Sequence, residues 1–374
     1  DSSRDPMIYP LLEQWAARGN WLGCYPQLTA SWRIVCPWSG PQFIRYRMTE
    51  FVDKGLSCLC GYATPNNRLY EFNIAAAAEW SWNAHGRDET QFARAFFTRR
   101  GLADPEAAAE WAVTLGPVGW DIYGGRIPYY WVYGSAAASL EARRAPTLGT
   151  GWYRYLETPE RFAEDLAAVA RAREIAQRLD DPLLIVETKV IGGYLTMLKM
   201  LYDMAVIVSS PQPPTEEQRQ QLNEQMYAMA QAAADVADAL QAWESTCGGG
   251  IGGSRLLDTI DCTERAARAA GKALRPFGIQ DPGALYVQIV AGKWTEEDFV
   301  DSRRITKIWE VTEAVSGADV YEARFNYRSG WHGLHIHRAA LACAPADAPD
   351  NRTELVVDQH DGAAAATNRD NVYR

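Results

Sequence analysis

Residues 70–92 read YEFNIAAAAEWSWNAHGRDETQF, and how this stretch folds decides the architecture of the first part of the chain. An alanine-rich apolar run leads into Glu79-Trp80-Ser81-Trp82-Asn83, and Gly86 then turns the chain toward a new helix. A buried strand that ends in a polar and aromatic cluster, followed by a turn and a helix, is how parallel-sheet enzymes present a site. On that reading LYEFNIAAAAEW is a strand and the cluster behind it is the candidate site.

Working outward, residues 1–130 read as alternating helices and strands. LLEQWAARG is a short amphipathic helix ending at Gly19, and WLGCYPQL is a strand running into a proline turn. PQFIRYRMTEFVDKG is a helix closed by Gly55, LSCLCGYATP a second strand, and GRDETQFARAFFTRRG a helix with Asp88 at its cap and Gly101 at its end. With LYEFNIAAAAEW as the third strand, this is the βα grammar of a parallel sheet. Three strands cannot close a barrel by themselves. Residues 104–150 read as a helix plus an aromatic, glycine-rich connection.

Four helices follow in 159–275. Pro159 occupies a first-turn position, Thr215 and Gln218 are spaced as a capping box, and Leu183–Val208 reads as a buried helix. From residue 304 the period changes: RITKIWEVTEAV, DVYEARFNYRSG, GLHIHRAALAC and TELVVDQH are short strands split by turn residues, as in a β-sandwich. The expected organisation is therefore 1–150 α/β, 151–280 all-α and 281–374 all-β. Both ends of the chain, DSSRDPMIYP and NRDNVYR, suggest a piece of a longer protein.

Composition narrows the function. A chain of 374 residues with 47% hydrophobic and 22% charged residues is ordinary globular material. A net charge of −10 gives no electrostatic support to a nucleic-acid role. Glu187, Lys189, Lys199 and Asp203 interrupt the longest apolar stretch, so no membrane span is expected and the protein is read as soluble. Seven cysteines are too few for a disulfide scaffold, although Cys247 and Cys262 flank GGGIGGS and are candidates to close that loop. Fourteen tryptophans and eighteen tyrosines supply flat amphipathic surfaces that suit stacking on sugar rings as well as filling a core.

Two stretches together resemble a known architecture. GLSCLCGYATPNNRLYEFNIAAAAEWSWNAHGR is similar to the last strands of the (β/α)8 barrel in hexosaminidase-like glycoside hydrolases, families 20 and 84 and their bacterial relatives. DVYEARFNYRSGWHGLHIHRAALA with VVDQHDGAAAATNRDNVYR resembles the β-sandwich appended to such enzymes. The resemblance implies the second half of a TIM barrel, with strands six to eight in residues 20–90, then a helical domain and a partial sandwich. It implies hydrolysis of a glycosidic bond, with an amino sugar as the candidate substrate, in a secreted or periplasmic setting. The family's catalytic acid pair lies at the end of the fourth strand, before this chain begins. The acid and base would then come from an N-terminal segment or partner chain that completes the barrel, and no cofactor is implied.

On this basis Glu79, Trp80, Trp82 and Asn83 lie at the mouth of the last strand, and Tyr25, Trp38 and Tyr62 follow the other two strands along the same rim. Glu71 and Glu79, eight residues apart on one strand, are about 26 Å apart and cannot form a catalytic pair. Asp121 and Tyr123 in WDIYGG are weaker candidates. His335, His337, Asp358 and His360 have same-face spacing for a metal, but surface residues of a strand are the preferred reading, and no metal is assigned. Gly248–Gly253 lacks the context of a phosphate loop and reads as a plain connection. The functional expectation is a carbohydrate-binding contribution to a glycoside hydrolase. A non-catalytic carbohydrate-binding or structural subunit is the alternative, and a homo-oligomer is open.

Overall fold

The structure is a computed structural model that describes residues 2–30, 34–132 and 136–279, then 292, 295, 298, 305–312, 323–324, 338–345, 347–348, 351–359 and 372–373. The chain divides into two compact units, Asp1–Gly283 and Ala284–Arg374. The boundary expected near residue 150 falls inside the first.

The opening stretch is a helix. After a 3-10 turn over Asn67–Tyr70, α3 runs Glu71–Trp82 and buries Phe72, Asn73, Ala76, Ala77 and Trp80. Those positions share one helical face, and alanine has the best intrinsic helix propensity. The run carries apolar residues almost all round, so it shows neither strand alternation nor a clear amphipathic stripe. At 12 residues it also exceeds the usual length of a strand.

Removing that strand removes the half barrel. Before α3, the helix α1 covers Pro10–Ala17, and β1 (Gly23–Cys24) pairs in parallel with β2 (Cys58–Leu59). A further parallel bridge joins Gln27 to Tyr62. Between the two strands α2 (Pro41–Asp53) buries Phe43, Ile44, Met48 and Phe51. Among the described residues β1 and β2 form a two-stranded sheet with no third strand. The second half of a TIM barrel is thus replaced by one β–α–β unit set on helices.

α4 (Glu89–Arg99) starts at Asp88 with a complete capping box to Gln91. α5 (Pro105–Gly124) occupies much of the region expected to be irregular and contains Pro117. A proline inside a helix leaves the carbonyl four residues earlier without its amide donor. Here that carbonyl is Val113, and the Gln42 side-chain amide donates to it at 3.1 Å. α5 also presents Gly116 and Gly119 to the segment before α2. The Trp38 indole donates to the Gly116 carbonyl at 3.0 Å, and a Cβ on Gly119 would lie 2.6 Å from its ring.

The short helices α6 (Ile127–Val132) and α7 (Ala138–Glu141) lead to four long ones: α8 (Pro159–Leu179), α9 (Pro182–Val208), α10 (Glu216–Thr246) and α11 (Gly253–Leu274). Thr158, Asp181 and Thr215 cap α8, α9 and α10 through their side chains. α9 is long and apolar enough to cross a membrane by length and composition, and 61% of its most apolar window is buried inside the unit. α8 and α10 pack on α9, and α5 packs on α8 and α9, so helices from both sides of residue 150 share one core.

In the second unit the described residues form an antiparallel pair, β4 (Arg338–Cys343) with β5 (Thr353–Gln359), and a short pairing of β3 (Ala323–Arg324) with β6 (Val372–Tyr373). β4 and β5 coincide with two of the expected strands, yet these pairs are separate two-stranded sheets and no β-sandwich is formed among the described residues. All seven cysteines are free, including Cys247 and Cys262.

Candidate functional site

β1 and β2 run in parallel, so their carboxyl ends lie on the same edge, and α2 and α3 begin from that edge. Asn73, in the first turn of α3, fixes the geometry. Its side chain accepts the Gly40 amide at 3.0 Å and donates to the carbonyls of Leu28 and Trp38, each at 2.8 Å. In α/β arrangements ligands bind outside the carboxyl ends of parallel strands. A cleft of about 210 Å³ opens beside the start of α3, with Trp38, Ser39, Arg68, Tyr70, Glu71 and Glu187 on its wall beside Arg100, Trp243 and Cys247.

Glu187 is the buried acid of this cleft. It projects from α9, accepts the Ser39 amide, and accepts the Ser39 hydroxyl at 3.1 Å. Burial pushes its carboxyl up to about 7, while the two Ser39 donors pull the other way. Glu71 is an exposed carboxylate at the same opening. Burial, and after it the charges of Glu187 and Glu71, push the half-buried Cys247 thiol up to about 11. The Tyr70 ring meets Trp243 edge-on at 5.9 Å, and burial carries the Tyr70 hydroxyl well above its usual range.

Of the residues expected to form a site, Trp38 alone lines this cleft. It is buried, stacked on Phe43 at 4.7 Å, and held by Gly116. Because α3 is a helix, Glu79, Trp80, Trp82 and Asn83 sit at its far end, about 12 Å from Glu71 to Glu79 at 1.5 Å per residue. Glu79 pairs there with Arg87 at 3.1 Å. Trp80 is fully buried against Phe92 and donates to the Arg87 carbonyl. Trp82 is 93% exposed, and Asn83 follows the last turn. Tyr25 and Tyr62 meet edge-on at 5.3 Å, and Arg255 donates to the Tyr62 hydroxyl. They form a separate aromatic pair by the strands.

The other clusters are engaged internally. A wider groove of about 540 Å³ beside α2 holds Arg45 with Glu89, Lys54 with Glu50, and His85 with Asp53, each side chain engaged by its neighbour. Asp121 is fully buried between Arg4 and Arg161, and Asp165 joins them through Arg161 at 3.1 Å. This network ties the N-terminal segment to α5 and α8. Tyr123 donates to the Pro37 carbonyl in the core. No group of metal-ligating side chains occurs among the described residues, and His335, His337 and His360 lie outside them.

Glu187, Arg100 and Trp243 are not among the site residues expected from the sequence: Glu187 and Trp243 sit in helices read as packing, and Arg100 caps the end of α4. One signal was available for Glu187: it is the first charge in the run PLLIVETKVIGG, where a carboxyl on a buried face needs a reason. No family model matches the chain, and no curated protein and no solved structure matches it either.

Proposed function

We propose that this chain takes a saccharide into the cleft beside the start of α3 and serves the hydrolysis of its glycosidic bond. One observation carries the reading: two carboxyl groups of opposite environment, buried Glu187 and exposed Glu71, line one aromatic-walled cleft. Glycoside hydrolysis uses such a pair, one group holding a proton for the leaving oxygen and the other acting as base or nucleophile. Glu187, whose carboxyl burial moves toward neutrality, suits the proton donor, and Glu71 suits the second role. The test is turnover of aryl glycosides by the intact chain and by the variants Glu187→Gln and Glu71→Gln. General acid catalysis contributes about 10²–10⁴-fold, so Glu187→Gln should lose activity by that order while still binding sugar. Turnover undiminished in both variants would sink the assignment.

A second reading, saccharide binding without turnover, is favoured by the bonds Glu187 already makes. Both of its oxygens are engaged by Ser39, which suits a carboxyl that braces α9 against the start of α2. Calorimetric binding of oligosaccharides with no hydrolysis of any aryl glycoside would select it.

A further inference from the structure

Arg68 and Arg100 face the cleft from different elements, one in the 3-10 turn before α3 and the other at the end of α4. Neither forms an ion pair with any described residue. Both cleft arginines are exposed, and each has one near neighbour. A Cβ on Gly248 would lie 3.2 Å from Arg68 Nη1, so this guanidinium passes close to the Gly248 backbone. Gly248 has φ +116°, which also restricts that position to glycine. The Arg100 guanidinium lies 6.0 Å from the centre of the Phe96 ring, itself part of the cleft wall. Two planar guanidinium forks without carboxylate partners, beside a small cleft, are matched to the oxygens of an oxyacid.

We propose that the saccharide received here is acidic, with a carboxylate or sulfate group held by Arg68 and Arg100. The inference rests on the saccharide reading above and adds the chemical class of the substrate. The chain's net charge of −10 repels such a ligand at long range, so recognition is by contact and carries no steering from the bulk of the protein.

The experiment is calorimetric titration of the intact chain with a sulfated chondroitin tetrasaccharide, a hyaluronan tetrasaccharide, neutral chitotetraose and sodium sulfate. The two acidic oligosaccharides should bind about tenfold or more tightly than chitotetraose, since a charge-assisted contact is worth that factor. Arg68→Ala and Arg100→Ala should each erase most of that preference, weakening the acidic oligosaccharides far more than chitotetraose, and leave the far-ultraviolet circular dichroism unaltered. A carboxylate ligand is indicated if both acidic tetrasaccharides show the preference, since each carries glucuronate carboxylates, and a sulfate ligand if only the sulfated chondroitin does. Equal binding of neutral and acidic sugars overturns the inference and leaves the saccharide reading standing. A preference that survives the double variant overturns it as well, because the anion is then held elsewhere. Sulfate binding that depends on both arginines, with no oligosaccharide bound, keeps the anion site and sinks the saccharide reading. Binding of none of the four sinks both.

Discussion

At the scale of single residues, the buried carboxyls set how the protein responds to pH. Burial raises Glu187 from 4.5 to about 7. Burial, followed by the neighbouring charge of Asp121, also raises Asp165, against the pull of Arg161. In both cases the folded state keeps a proton that the unfolded chain has already released near pH 4–5. The stability they contribute is therefore complete below those unfolded values and is lost as pH rises through the folded ones, about 7 for Glu187. A shift of this size in Glu187 corresponds to about 3 kcal/mol, an upper figure for a group that keeps two donors. Glu50 behaves oppositely: the amides of Ile8 and Met7 and the charge of Arg47 outweigh its burial and hold it below its usual value. Its contribution is lost only on acidification below the ordinary carboxylate range, outside that window. The melting temperature should accordingly fall between pH 5.5 and pH 8, and Glu187→Gln should flatten that fall. A wild-type curve flat across the interval, or a variant with the same slope, would contradict the assignment.

At the scale of elements, most of the helices were legible and their ends especially so. Asp88 with Gln91 and Thr215 with Gln218 announce α4 and α10 as capping boxes, and both boxes are made. Asp88→Ala should cost about 1 kcal/mol of stability in chemical denaturation, the usual value of a lost cap. α3 was not legible, because an apolar run with no polar face offers periodicity nothing to detect, and its alanines were outweighed by the flanking turn signals. The exposed Ala78 gives a direct test of the element. In a helix Ala78→Gly costs about 1 kcal/mol and Ala78→Val a few tenths, since a β-branched side chain loses rotamer freedom against the preceding turn. A strand would order the two changes differently, with valine neutral or stabilising. Stabilisation by valine would therefore refute the helix. The pairing of Gln42 with the carbonyl freed by Pro117 was invisible for another reason: it joins α2 to α5 across 71 residues of chain. Gln42→Ala should cost about 1–3 kcal/mol for the carbonyl left without a donor, and a neutral change would show that water replaces it.

At the scale of the whole molecule, the same distance along the chain explains why the sequence did not bring the cleft residues together. The reading put the aromatic cluster of residues 79–83 at the end of a strand, and the helix places it at the end of α3 remote from the strands. The cleft draws Trp38, Tyr70, Arg100, Glu187 and Trp243 from five segments, and nothing in local periodicity brings such residues together. What did transfer was the neighbourhood: two parallel strands, β1 and β2, with Trp38 beyond the first of them. The helices of residues 151–280, expected to be a separate packing domain, supply Glu187 and Trp243 to the cleft and bury them in the same core as α2 to α5. That shared core makes the last prediction. Every buried apolar residue described lies between Ile8 and Ile279, so the first unit holds its own hydrophobic core. Residues 1–283 produced alone should be strongly helical, melt in one cooperative step, and keep the pH dependence assigned to Glu187. A fragment that melts without a cooperative step would mean that the core needs residues beyond 283, and the cleft would then have to be studied only in the full chain.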